Sequence, residues 1–131
     1  MKLPGRYFLL LTGIVYLIMG LIITNNIIRE VFLFGYAWQI TLMGAYSMFL
    51  MFAGIIGIAF HNKAHKVVLI TVIGVLDIIL TIPLNLLGRD FIFLVVYAIL
   101  PISYITGAHI NESYMLKMYK NDVKNIFKQN D

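Results

Sequence analysis

A single carboxylate stands in the middle of a long apolar run, and it is the residue best placed to do chemistry. Asp77 falls within residues 67–88, a stretch with no other ionisable side chain. If that stretch is a helix crossing a membrane, the carboxyl lies near the bilayer midplane. Placing an acid there costs roughly 2.5–3.5 kcal/mol. No lysine or arginine occurs in any comparable run to pair with it. It must therefore be protonated, hydrated or hydrogen-bonded by neutral partners. Gly74, Asp77, Thr81, Asn85 and Gly88 recur at spacings of three and four, so on a helix they form one narrow polar stripe. Neutral partners at similar depth come from three other runs. They are Tyr16, on a stripe with Gly13, Gly20 and Thr24; Tyr46 or Ser47; and Tyr97 and Tyr104, on a stripe with Pro101 and Ala108. A tyrosine hydroxyl donates a hydrogen bond without adding charge. Two readings stand side by side: a proton or cation relay or polar-substrate contact, and a protonated acid that fastens helices together.

The histidines are the second candidate set. His61 and His65 are four apart, His109 lies near the end of a later run, and Glu112 follows it. Such residues could ligate a divalent metal. However, His61 and His65 flank Asn62 and Lys63 in what reads as a loop, where helical i,i+4 geometry need not hold. No HExxH-type motif supports a site, and no metal or other cofactor is expected. Enzyme templates are also missing: there is no GxSxG, no P-loop and no cysteine. Ser47 and Ser103 have no histidine at their depth to activate them. The chain is not expected to be an enzyme.

The elements that must position these residues are four uncharged apolar runs within 131 residues: 7–28, 31–62, 67–88 and 91–111. Each reaches the roughly 20 residues needed to span a bilayer. Hydrophobic residues make up 61% of the chain and mean hydropathy is +0.91, more apolar surface than a small soluble domain can hide. The expected fold is all-α, an up-down-up-down four-helix transmembrane bundle over residues 1–111. Its helices are expected at about 7–28, 37–60, 66–87 and 91–110, with an interfacial turn at 30–36. Pro83 and Pro101 should bend the third and fourth. With four spans, Lys2, Arg6, Lys63, Lys66, Lys117, Lys120, Lys124 and Lys128 share one side, against Arg29 and Arg89 on the other. The positive-inside rule then puts both termini in the cytoplasm of a cell membrane.

Gly13, Gly20, Gly54, Gly57 and Gly74 are small residues of the kind that let membrane helices approach closely. They suit a bundle interior and leave room for a second copy or another membrane protein. Residues 112–131 form a cytoplasmic tail. Met115, Met118, Tyr119, Val123 and Ile126 recur on one side, with Lys117, Lys120, Lys124 and Lys128 opposite. That pattern predicts an amphipathic helix on the membrane surface, its lysines on anionic headgroups. The expected partners are thus lipid and membrane protein. The net charge of +4 reflects topology, and nothing points to nucleic acid.

Residues 53–58 read as AGIxGI and residues 100–111 as LPxxYxxGAxxN. In these motifs and its four-span layout the chain resembles a loose family of small, uncharacterised four-helix membrane proteins of low-GC Gram-positive bacteria. The resemblance implies a bacterial plasma-membrane address and no defined activity. Small multidrug exporters also have four short helices but rely on an acid in the first, which is absent here. The leading expectation is a non-enzymatic accessory, stress or immunity-type protein acting through helix–helix and lipid contacts. A small transporter or channel using Asp77 and a cytoplasmic-face metal sensor are the alternatives.

Overall fold

The computed structural model describes the backbone of residues 2–88 and 91–130, and the side chains of 2–82 and 98–130. Four long helices account for nearly all of it: α1, Arg6–Phe34; α2, Trp38–Ala59; α3, Val67–Gly88; and α4, Phe91–Gln129. A short 3-10 turn, Ala64–Lys66, precedes α3, and the described residues include no strand. The segments Arg6–Phe34, Trp38–Ala59 and Ala64–Ile82 are each long and apolar enough to cross a bilayer.

Helix boundaries follow backbone chemistry more closely than charge. Arg29 and Glu30 were expected to mark the end of the first helix, with a turn over 30–36. Instead α1 continues to Phe34. Exposed charged side chains such as Arg29 and Glu30 do not end a helix, whereas Gly35, with φ of 80°, adopts a backbone open chiefly to glycine. The Gly35 amide closes the last turn on the Val31 carbonyl at 3.0 Å. The fourth helix differs as well. The span expected over 91–110 and the tail from 112 form one uninterrupted helix, with Pro101 inside it. No glycine or proline follows Gly107 in the chain to stop it. At about 1.5 Å per residue, α4 is on the order of 58 Å long, well beyond a hydrocarbon core of about 30 Å.

Packing uses one stripe per helix. α1 buries Leu9, Thr12, Gly13, Tyr16 and Gly20, and α2 buries Tyr46, Ser47, Leu50, Ala53, Gly54 and Gly57. The α1–α2 pair is the most intimate because backbone meets backbone. A Cβ on Gly13 would lie 2.9 Å from the Gly54 carbonyl oxygen, and one on Gly54 would lie 2.7 Å from that of Gly13. Gly20 meets Met51 and Ser47 further along. α3 packs on α4, where Gly74 receives Ile105 and approaches the Pro101 carbonyl. Among the described residues the outward faces of α1, α2 and α3 are largely apolar, with Leu11, Ile18, Leu21, Phe52, Val68 and Ile79 all exposed. An aqueous protein does not present such a surface.

Candidate functional site

Asp77 lies at mid-length of α3 and is 1% exposed. Both carboxyl oxygens are occupied. The Tyr16 hydroxyl of α1 donates to Oδ2 at 2.7 Å, and the Tyr46 hydroxyl of α2 donates to Oδ1 at 3.2 Å. Tyr46 also lies 3.4 Å from Thr81 Oγ1, while the Thr81 hydroxyl donates to the Asp77 backbone carbonyl at 2.6 Å. One acid thereby joins three helices through neutral donors. No charge is added, and the phenol rings supply apolar bulk around the polar centre.

Tyr104, a candidate donor to Asp77, does something else. Its hydroxyl donates 2.8 Å to the Ala53 carbonyl of α2. Its ring fills the notch at Gly57, where a Cβ would come within 2.7 Å of Cε2. It also meets the Tyr16 ring edge-on, with centroids 5.5 Å apart and planes at 86°. Tyr104 is therefore a wedge that orients Tyr16, acting on the acid only through that ring. Of the two α2 candidates, Tyr46 reaches Asp77. Ser47 instead accepts from Thr24 at 3.1 Å and donates to the Gly44 carbonyl at 2.9 Å. The side chains of Asn85 and Tyr97 lie outside the described residues.

The histidines do not converge. His61 Nδ1 lies 2.6 Å from the Ile58 carbonyl of its own helix end. His109 sits between Glu112, 3.4 Å from Nδ1, and Thr71, 3.4 Å from Nε2. Among the described residues no group of three or more metal-ligating side chains occurs. Lys117, Lys120, Lys124 and Lys128 are exposed along one side of α4.

A second polar cluster was missed at the sequence level. Asn111 of α4 is fully buried and donates 3.0 Å to the His61 carbonyl, and Asn62 Oδ1 accepts the Leu3 amide at 2.7 Å. Gly5 sits against the Gly107 carbonyl and Asn111 Oδ1, so closely that any side chain there would displace backbone. The N-terminus, the α2–α3 loop and α4 are thus tied together at one end of the bundle. Asn111 Oδ1 has no hydrogen-bond partner among the described residues. Two sequence signals touched it: asparagines at the very ends of two apolar runs, and Gly107 and Asn111 within the LPxxYxxGAxxN pattern.

No family model matches the chain, and neither a curated protein nor a solved structure matches it.

Proposed function

We propose that this is a small multi-pass membrane protein that crosses the bilayer four times in up-down order. Both termini lie on the lysine-rich cytoplasmic side of the cell membrane. It acts as an accessory factor through helix–helix and lipid contacts, not by catalysis. The contact pairs support alternating helix directions. Gly13 meets Gly54 and Gly20 meets Ser47, while Gly74 meets Ile105 and Thr71 meets His109. The observation that carries the reading is the closure of the Asp77 cluster. Both oxygens are bonded to hydroxyls of other helices, and 1% exposure leaves no open side. A polar clamp in lipid is the use such geometry serves best. Reconstitution tests it: vesicles bearing the wild type and Asp77→Asn should show the same low proton permeability, while the variant bundle unfolds more readily. A proton flux present in the wild type and lost in Asp77→Asn would overturn it.

One observation favours the transporter reading. Tyr46 links Asp77 to Thr81, one turn further along α3, so hydroxyls continue beyond the acid. That reading requires water at Thr81, which reaction of a Thr81→Cys thiol with a water-soluble reagent would reveal.

A further inference from the structure

We propose that a groove between the Pro4 turn and α4 binds one anionic glycerophospholipid from the leaflet on the lysine-rich side. The inference rests on the membrane reading above and adds a defined site to it. The groove is open to the outside and has a volume of about 530 Å³, with Pro4 on one wall and Ile105, Ile110, Ser113, Tyr114 and Lys117 along α4. That volume lies within the range of small-ligand sites.

The order of residues along the groove and along the α4 face that continues it toward Ile99 identifies its occupant. Ile99, Ile102, Thr106, Ile110, Ser113 and Lys117 follow one another at spacings of three and four, so they share one face of α4. Polarity along that face runs from exposed isoleucines, through hydroxyls, to an ammonium group. A phospholipid beside the helix has the same sequence of acyl chain, ester and phosphate. Ile102 to Lys117 spans about 22 Å, close to half of a bilayer including its headgroups.

The available donors match a phosphate diester. Among the described residues, no hydrogen bond or ion pair engages the Ser113 and Tyr114 hydroxyls or the Lys117 ammonium. The other polar liners are spent: Thr106 donates to the Ile102 carbonyl at 2.7 Å, and the His109 ring nitrogens face Thr71 and Glu112. Glu112 lines a separate groove with Val68 and Thr71 on the far side of His109. Lys120 extends the same face beyond Lys117 at a spacing of three. A second protein helix would leave Lys117 unpaired against this face; an anionic lipid neutralises it.

Native mass spectrometry of the full chain in detergent, mixed with phosphatidylglycerol or phosphatidylcholine of the same chains, tests the site. One phosphatidylglycerol should be retained per chain, in preference to phosphatidylcholine. Lys117→Gln should lower retention about fivefold. Ile110→Trp, which fills the groove without changing charge, should also lower it. Lys63→Gln, with the same charge loss in the α2–α3 loop outside the groove, should leave it within about twofold. Excess inorganic phosphate should not displace the lipid. Equal loss in Lys117→Gln and Lys63→Gln, equal retention of the zwitterionic lipid, or displacement by phosphate would each overturn the site. Flotation with vesicles separates the two readings. A chain that floats but retains no lipid defeats the groove alone, whereas a chain left in the aqueous fraction defeats the membrane reading too.

Discussion

Removing one oxygen atom from Tyr16 should weaken the whole bundle. Tyr16→Phe keeps the ring against Tyr104 but deletes the hydroxyl that donates 2.7 Å to Asp77 Oδ2. Interhelical polar contacts in membranes average about 0.6 kcal/mol and reach about 1.7 kcal/mol. Here the acceptor is 1% exposed and no water can replace the lost donor, which puts the effect toward the upper end. The expected loss is about 1–2 kcal/mol. Tyr46→Phe removes longer contacts of 3.2 and 3.4 Å and should cost less, about 0.5–1 kcal/mol. Reversible denaturant titration in mixed micelles, followed by helicity, measures both. A double-mutant cycle of Tyr16→Phe with Asp77→Ala isolates the pair and should yield coupling of about 1 kcal/mol. The same cycle with Tyr104→Phe should yield less than half of that, because the Tyr104 hydroxyl serves Ala53. Zero coupling between Tyr16 and Asp77, or equal coupling for Tyr104, would refute the clamp.

The other expectations concern packing and the second cluster. Gly54→Ala should force α1 and α2 apart, because its Cβ would meet the Gly13 carbonyl at 2.7 Å and the Leu17 amide nitrogen at 2.9 Å; the same titration should show a loss of about 1–3 kcal/mol. Gly44→Ala, with nothing within 4 Å among the described residues, should be neutral or stabilise by up to about 1 kcal/mol through helix propensity. Asn111→Ala should release the His61 carbonyl and speed hydrogen exchange in the loop over 60–66, leaving exchange around Asp77 unchanged. Gly5→Val should be worse tolerated than any of these, seen as loss of folded protein, since backbone of α4 occupies the space.

The helices were legible because their outward and core-facing surfaces are both largely apolar, so the runs stand out against charge. Their ends were less so. Arg29 and Glu30 reported where the apolar stretch stopped, and the helix went on until Gly35 supplied the conformation that ends it. Residues beyond Glu112 changed in composition but contained no breaker, so α4 kept going. At the site, depth counting brought Tyr16, Tyr46 and Asp77 to one level, because rise per residue is fixed. Counting could not decide which way a phenol points. Tyr104 shares that level but turns to Ala53, because the Gly57 notch admits its ring. The Asn111–His61 and Leu3–Asn62 ties join segments far apart in the chain, and spacing carries no information about such pairs.

Single-cysteine labelling offers the sharpest check, since the natural chain contains no cysteine. In sealed vesicles, His65→Cys and Tyr36→Cys should react with a membrane-impermeant maleimide from opposite sides. Thr81→Cys, beside the acid, should react from neither side until the bundle is unfolded. Labelling of positions 36 and 65 from the same side, or rapid labelling of position 81 in the folded protein, would contradict a chain threaded through lipid around a sealed carboxyl.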